Sequence, residues 1–234
     1  LILLYIYIYI YIYMTDYYKK YIKYKKKYIN EKRKIKGGYD FENKLLERNY
    51  KLTDKDKELI AEKDYGLSGT FGTLSKEGLG DVLNKSKEYL ENINEKKFID
   101  IGSGDGRVVF WASDYGLKES TGVELSESRY NLSMNEYNKL PESKKKNINF
   151  IKDDINNVNL ENKDIDIVYL SSLCMSDNLI YSITDKLSKE LKKGALIFTS
   201  SELIKELNPQ KKIINDKNIK FIKNFNVKQS WNKS

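Results

Sequence analysis

The sequence predicts an α/β fold with a mainly parallel sheet of seven strands, preceded by a small helical part. From residue 97 onwards, short strand-like runs alternate with helical stretches, as is typical of parallel sheets with helical crossovers. A second observation is a strand that leads directly into a glycine turn at residues 98–107, the arrangement by which parallel sheets bind nucleotides. The predicted strands lie at 98–101, 120–125, 148–151, 165–170, 195–199, 211–214 and 219–229.

The composition excludes several kinds of chemistry. The chain has 234 residues, one cysteine and no histidine. Without histidine there is no Ser-His-Asp or Cys-His triad, no histidine-ligated metal and no histidine general base. A single cysteine excludes an intramolecular disulfide and a cysteine-rich zinc site, so we expect no metal. Chemistry here must use carboxylates, hydroxyls, backbone dipoles and a bound cofactor.

Residues 1–13 form a low-complexity run of Tyr and Ile before the first methionine, Met14. In-frame TA repeats encode this alternation, so we interpret the run as translated upstream repeat and expect the native chain to start at Met14. The run is shorter than the ~20 residues of a membrane helix and lacks the preceding basic residues of a signal peptide. We therefore expect no membrane association. The alternative is that the run is a signal anchor and that the chain from Lys19 onward lies on the cytoplasmic side of the membrane.

Residues 14–38 form a basic arm. Between Thr15 and Lys36, ten Lys/Arg and two Asp/Glu give a net charge of +8, which leaves the rest of the chain neutral. Such an arm suggests an anionic partner, and the candidates are nucleic acid, an acidic protein face and a membrane surface. We predict contact residues for nucleic acid. Codon bias in an AT-rich genome is the alternative, because only four of the 42 basic residues are Arg. The predicted contacts are Lys19, Lys20, Lys23, Lys25, Lys26, Lys27, Lys32, Arg33 and Lys34.

Residues 39–93 are predicted to form the helical part. Leu, Ile and Val recur at helical spacing over 40–63 and 75–92, and a glycine-punctuated loop lies between them at 64–72. We expect the sheet domain to follow at 94–234.

The glycine turn reads Phe-Ile-Asp-Ile-Gly-Ser-Gly-Asp-Gly-Arg from Phe98 to Arg107. Glycines permit a tight turn and let the backbone approach a ligand closely. A dinucleotide loop reads Gly-x-Gly-x-x-Gly, but Arg107 stands at its third glycine position, and Asp105 at the mouth of the helix would repel a pyrophosphate. Gly106 instead completes the pattern Asp-x-Gly-x-Gly-x-Gly. An ordinary strand-to-helix turn without a ligand is the alternative.

Further acids follow the next two predicted strands. Glu124 ends the second strand, 18 residues after Gly106, where a carboxylate can accept both hydroxyls of a ribose. Asp153 and Asp154 follow the third strand. Glu124 alone would serve NAD equally well, but acids at three successive strand ends after a glycine loop are much more specific.

The pattern at residues 100–106 resembles motif I of the class I S-adenosylmethionine-dependent methyltransferases, whose sheet is Rossmann-like. The resemblance implies S-adenosyl-L-methionine as the cofactor, with Asp100 suited to its cationic methionine part. It also implies that an acid after the third strand meets the adenine amino group; Asp154 with Ile155 matches best, and Asp153 is the alternative. The implied cofactor-binding residues are Phe71, Gly72, Thr73, Leu74, Phe98, Asp100, Ile101, Gly102, Ser103, Gly104, Asp105, Gly106, Arg107, Glu124, Asp153, Asp154 and Ile155.

Flanking segments are similar to the non-SET histone-lysine methyltransferases of the disruptor-of-telomeric-silencing type. These segments are residues 122–129, 168–179, 194–203 and the Ser230-Trp231 pair, with 70–74 in the place of that family's cofactor-covering loop. The resemblance implies a nuclear protein-lysine N-methyltransferase that acts on a histone in nucleosomes. It also implies that the basic arm contacts DNA.

The resemblance further implies in-line methyl transfer to a neutral lysine amine. A narrow apolar channel would disfavour the charged amine and lower its pKa. We expect Phe71, Leu173 and Trp231 to line this channel, with a core aromatic as the alternative role for Trp231. Ser171 would accept a hydrogen bond from the amine or offer its backbone carbonyl.

Two other functions stay open at this point. The run at residues 100–107 also resembles the ATP-synthase c-subunit lysine methyltransferases, so a non-histone lysine, in an elongation factor or a mitochondrial ATP-synthase subunit, is the first alternative. The protein would then lie in the cytoplasm or the mitochondrion. The second alternative is a non-catalytic nucleic-acid-binding module that uses the basic arm.

Overall fold

The computed structural model of the chain describes residues 52–65, 74–172, 175–200, 219, 222 and 224–227. All of these fall within one compact unit, residues 50–230. The run at 1–13 and the arm at 14–38 lie outside the described residues. The same is true of Phe71, Gly72, Thr73, Leu173 and Trp231.

Two helices precede the sheet, as the helical spacing predicts. Helix α1 spans Asp54–Glu62 and begins with a reciprocal capping box between Thr53 and Asp56. Helix α2 spans Lys76–Ser86, and the Ser75 hydroxyl accepts the Gly78 N–H at its start. A 3₁₀ turn at Ile93–Glu95 then leads into the first strand.

The sheet has five parallel strands in the order β3-β2-β1-β4-β5 among the residues that the structure describes. This confirms the predicted α/β fold with its Rossmann-like parallel sheet. The predicted strand at 211–214 lies outside the described residues, and residues 219, 222 and 224–227 are not in a strand. The strands are β1 Lys97–Ile101, β2 Glu119–Glu124, β3 Ile148–Lys152, β4 Ile167–Leu170 and β5 Leu196–Thr199.

Helices connect the strands. Ser126 and Ser176 start two of these helices, where each hydroxyl accepts a backbone N–H of the first turn. The first crossover helix starts differently, at Gly106. The helices are α3 Arg107–Asp114, α4 Glu127–Tyr137, α5 Glu142–Lys145 and α6 Asp177–Glu190, and a 3₁₀ turn lies at Ile155–Asn157.

Alternate residues of each central strand face two separate core clusters. Ile99 and Ile101 of β1 belong to one cluster, which includes the α6 side chains Leu179, Ile183 and Leu187. Phe98 belongs to the other, with side chains of α2 and α3. Because neighbouring strand residues point to opposite faces, the clusters lie on the two faces of the sheet.

The strand order changes direction at β1, so that β1 and β4 are neighbours in the sheet although β2 and β3 lie between them in the chain. Strands β2 and β3 lie on one side of β1, whereas β4 and β5 lie on the other. Ile101 pairs with Leu170, so the turn after β1 and the residues after β4 leave the sheet side by side. Open parallel sheets bind their ligands in the crevice at such a switch point.

None of the helices in the described part of the chain combines the length and the apolarity that crossing a bilayer requires.

Candidate functional site

The turn after β1 depends on three glycines with positive φ. The values are 77° at Gly102, 59° at Gly104 and 79° at Gly106, a region that other residues rarely adopt. The N–H groups of Gly102 and Ser103 donate to the Val123 carbonyl at 2.8 and 3.0 Å. The turn is therefore fixed against the end of β2, as the glycine spacing predicts.

Gly106 serves packing inside the protein. A Cβ at this position would lie 2.6 Å from two ring carbons of Phe150 and 2.9 Å from the Ser133 Cβ. A Cβ at Gly102 would meet only the Met175 side chain, at 3.5 Å. The absent side chain therefore makes room for the Phe150 ring, and the predicted contact of Gly106 with the cofactor stays a prediction.

Asp105 and Arg107 pair with each other. The Arg107 guanidinium donates to the Asp105 carboxylate at 2.6, 3.0 and 3.1 Å, and both side chains are buried. The sequence predicted both as cofactor-binding residues and treated Asp105 as a repulsive charge at the mouth of the helix. Arg107 counters the Asp105 charge at the start of α3, so that charge is not an isolated one. The contact of these two residues with the cofactor stays a prediction.

Four other predicted cofactor contacts lie in the hydrophobic core. Phe98 and Leu74 are fully buried in the same cluster, packed with α2 and α3 below the sheet. Ile101 and Ile155 are buried in the cluster on the other face. Strand alternation puts Phe98 and Ile101 on opposite faces of the sheet, and the contact of these residues with the cofactor stays a prediction.

Asp100 is a buried carboxylate near the end of β1. It is 3% exposed, and among the described residues none donates a hydrogen bond to it. Burial raises the pKa of Asp100 well above its usual range, and the negative charges of Glu124 and Asp105 raise it further. A buried charge without a partner is unfavourable. A cationic ligand would offset this cost, as the prediction for the methionine part of the cofactor requires.

Glu124 ends β2 and holds the glycine turn. One carboxylate oxygen accepts the Gly104 N–H at 2.7 Å, and the other accepts the Ser126 N–H at 2.8 Å. Burial raises the pKa of Glu124, although the Arg129 charge and these two N–H donors oppose the rise. Each oxygen has a second lone pair, so the carboxylate can also accept the two hydroxyls of a ribose.

Asp154 is saturated by protein donors. One oxygen accepts from Lys63 at 2.9 Å and from the Tyr65 hydroxyl at 2.6 Å. The other accepts from the backbone and side-chain nitrogens of Asn156 at 3.0 and 3.1 Å. A carboxylate offers about four acceptor sites, so an adenine amino group must displace one of these donors.

Asp153 is the alternative adenine acid. It is exposed, and one of its oxygens accepts the Asp154 N–H at 2.7 Å and the Asn157 amide at 3.0 Å. The choice between Asp153 and Asp154 therefore stays open.

Helix α1 contributes residues that the sequence analysis missed. The Asp56 carboxylate accepts the N–H of Glu127 at 2.9 Å, at the start of α4, while it also caps its own helix. Lys63 and Tyr65 follow the same helix and reach Asp154. The pattern Thr53-x-x-Asp56 signals the helix start, but no local pattern signals a partner 71 residues away.

We expect Asp56 to make stability depend on acid pH. Burial alone would raise its pKa, but hydrogen bonds from Ser128, Thr53 and Glu127 lower it from 3.8 to about 2. A lowered folded-state pKa stabilises the protein above the unfolded value, by about 2 kcal/mol here. This contribution disappears as the pH falls from about 4 to about 2. Urea unfolding of wild type and Asp56→Asn at pH 7 and at low pH measures it.

Asp54→Asn is the matched control, because Asp54 lies in the same helix with its side chain 90% exposed. Its unfolding curves should follow the wild type at every pH. Equal sensitivity to acid in the Asp56→Asn and wild-type proteins would contradict the assignment.

Hydroxyl groups line the ends of β4 and β5. The N–H of Ser172 donates to the Ser200 hydroxyl at 2.9 Å, and the hydroxyls of Ser172 and Thr199 lie 2.7 Å apart. Ser171, the predicted acceptor-side residue, is half-buried and precedes this pair. Its predicted channel partners Phe71, Leu173 and Trp231 lie outside the described residues.

No group of side chains within the described segments is arranged to hold a metal ion.

Residues 100–211 match the family model of the ANTKMT methyltransferase domain. The matched segment covers slightly less than half of the chain and includes the glycine turn, Glu124, Asp154 and Ser171. The chain carries a class I methyltransferase domain. S-adenosyl-L-methionine is the cofactor of this class, which confirms the cofactor prediction. The match is not to the histone-lysine type that the flanking segments resemble, so the histone target stays a prediction.

Solved structures of methyltransferases are also similar to this chain. An RNA methyltransferase from Salinibacter ruber, in complex with S-adenosyl-L-homocysteine, is 18% identical over 51% of this chain and 73% of its own, with a TM-score of 0.41. A phosphoethanolamine N-methyltransferase from Haemonchus contortus is 18% identical over 53% of this chain and 25% of its own, with a TM-score of 0.42. An S-adenosylmethionine-dependent methyltransferase from Thiobacillus denitrificans is 20% identical over 54% and 48%, with a TM-score of 0.41.

This chain therefore spans a quarter to three quarters of these proteins, and the substrates that they name differ. They favour no particular methyl acceptor. No curated protein sequence matches the chain.

Proposed function

We propose that the protein is an S-adenosylmethionine-dependent protein-lysine N-methyltransferase, and that its first candidate target is a histone in nucleosomes. One observation carries the proposal: the switch point brings the acid-lined glycine turn after β1 next to Ser171 after β4. A cofactor held by the first would face an acceptor held by the second. Residue resemblance supports the lysine acceptor.

The residues of this chain need only hold, orient and desolvate the reactants. When bound, S-adenosyl-L-methionine supplies a methyl group that its sulfonium already activates. Asp100 provides the negative charge for the ammonium group, and Glu124 provides acceptors for the ribose hydroxyls. Because both residues lie at neighbouring strand ends, they would hold the cofactor in one orientation relative to the methyl acceptor.

The acceptor side has to deliver a neutral amine. Apolar surroundings disfavour the charged amine and lower its pKa, and a carbonyl or hydroxyl at Ser171 accepts one remaining N–H. The nitrogen lone pair would form the new bond to the methyl carbon while the carbon–sulfur bond breaks and its electron pair stays on sulfur. The product amine would carry the positive charge until it loses a proton to water. No histidine is required, which agrees with its absence from the chain.

A non-histone lysine is the second candidate target. The match of residues 100–211 to a family model other than the histone type favours it. An elongation factor or a mitochondrial ATP-synthase subunit would then be the acceptor, and the protein would lie in the cytoplasm or mitochondrion. In the histone proposal the protein is nuclear and the basic arm contacts nucleosomal DNA.

We expect the full chain to transfer radiolabelled methyl groups to protein lysine. Nucleosomes, free histones and a nuclease-treated cell lysate serve as parallel acceptors, and hydrolysis of the labelled band identifies methyl-lysine. Glu124→Gln, which alters the ribose acceptor, should reduce label by at least about 100-fold. Asp185→Asn, a change from carboxylate to amide at an exposed ion pair of α6, is the matched control and should retain full activity.

Label on a core histone supports the histone target, and more label on nucleosomes than on free histones supports the DNA contact. Label on another protein supports the second candidate, a non-histone lysine, and contradicts the histone target. Binding of S-adenosyl-L-homocysteine without any labelled protein would contradict lysine transfer and favour a non-catalytic module.

A further inference from the structure

The peptide that joins Ser171 to Ser172 is held from the side of β5. Its N–H donates to the Ser200 hydroxyl at 2.9 Å. The backbone of Ser200 is in turn fixed to β4, because its N–H donates to the Leu170 carbonyl at 3.3 Å. The hydroxyls of Ser172 and Thr199 add a second link at 2.7 Å. Two side chains at the end of β5 therefore help to hold this peptide in its orientation.

The direction of the Ser171 carbonyl follows from that orientation. The described peptide bonds are all trans, and in a planar trans peptide the C=O and N–H groups point in opposite directions. Since the N–H points towards β5, the carbonyl of Ser171 points towards the β1 side of β4. The glycine turn that follows β1 lies on that side.

We propose that Ser200 and Thr199 are positioning residues for the methyl acceptor. They hold the Ser171–Ser172 peptide so that the Ser171 carbonyl accepts an N–H of the incoming amine and directs its lone pair at the cofactor side. The inference rests on the proposed function and adds to it the residues that fix the acceptor. It also explains why polar side chains end β5, whose preceding residues pack against the core.

Binding of two cofactor analogues tests the proposal without requiring a known protein substrate. In both, a nitrogen replaces the sulfonium sulfur; one carries a short aminoalkyl arm in place of the methyl group, and the other carries an alkyl arm of equal length. Titration calorimetry should show that wild type prefers the amine-bearing analogue by about tenfold, the value of one hydrogen bond to an amine. Ser200→Ala should lose this preference and bind S-adenosyl-L-homocysteine as wild type does.

Further variants separate positioning from general structure. Ser200→Thr keeps the hydroxyl and should retain the preference, whereas Thr199→Val should lose part of it. Ser188→Ala removes a hydroxyl that donates to the Asp185 carbonyl at 2.7 Å within α6, and it should leave both affinities unchanged.

Each result decides a different point. Retention of the amine preference in Ser200→Ala would overturn the positioning role of Ser200. Absence of any preference in a wild type that binds S-adenosyl-L-homocysteine would overturn the acceptor role of the Ser171 carbonyl. A wild type that binds neither analogue nor S-adenosyl-L-homocysteine would contradict the proposed function itself.

Discussion

Asp100→Asn should raise the stability of the protein and weaken its binding of S-adenosyl-L-homocysteine by at least about 100-fold. The carboxylate is buried and receives no hydrogen bond from the described residues. Burial and the nearby charges of Glu124 and Asp105 raise its pKa well above the usual range. An amide of the same shape removes this unfavourable charge, but it also removes the partner of the cofactor's ammonium group.

The pH dependence has a definite sign. When folding raises the pKa of a carboxyl group, that group costs no stability at a pH below its unfolded-state pKa. It lowers the free energy of unfolding as the pH rises from there through its folded-state pKa. The stability advantage of Asp100→Asn should therefore be present at neutral pH and vanish below about pH 4. Thermal unfolding from pH 3 to pH 9, with calorimetric titration of S-adenosyl-L-homocysteine at pH 7, measures both effects.

Asp185→Asn provides the control, because that carboxylate is exposed and paired with Lys189. It should change neither the unfolding temperature nor the affinity appreciably. An Asp100→Asn protein that is less stable than wild type, or that binds the ligand equally well, would show that Asp100 is not held as an unpaired charge for a cation.

The sheet and the cofactor side could be predicted because their signals are local. A residue at the end of a parallel strand lies at the carboxyl edge of the sheet, whatever its other neighbours are. The chain order of Asp100, Glu124 and the acids after β3 therefore sufficed to bring them to one edge. Ser171 was predicted from the resemblance of the fourth-strand segment, and only the strand order puts it beside the glycine turn.

Other features depend on contacts between distant segments and escaped prediction. The Phe150 ring leaves no room for a side chain at Gly106. Asp56 accepts the N–H of Glu127, which lies 71 residues further along the chain. Lys63 and Tyr65 occupy Asp154 for the same reason. In each case the role of a residue depends on a neighbour that is close in space but distant in the chain. No periodicity or spacing in the sequence identifies such a neighbour.

Gly106→Ala should destabilise the protein by about 2–5 kcal/mol, because two costs add. A Cβ at a φ of 79° costs about 1–2 kcal/mol in the backbone, and overpacking against the Phe150 ring, 2.6 Å from that Cβ, costs a further 1–3 kcal/mol, roughly. The displaced turn would also move the Gly104 N–H from Glu124. We therefore expect S-adenosyl-L-homocysteine binding to fall by at least about tenfold.

Gly194→Ala separates the two costs. Gly194 has a φ of 88°, and a Cβ there would meet no atom within 4 Å. This variant should therefore lose only the backbone contribution, about 1–2 kcal/mol, and keep its ligand affinity. Combining Gly106→Ala with Phe150→Leu should recover part of the packing loss, because the leucine side chain vacates the space of the ring. Urea unfolding of wild type, Gly106→Ala, Phe150→Leu and the double variant gives the coupling between the two positions. Equal destabilisation by Gly106→Ala and Gly194→Ala would mean that the turn alone requires glycine, and that the fit between α3 and β3 does not.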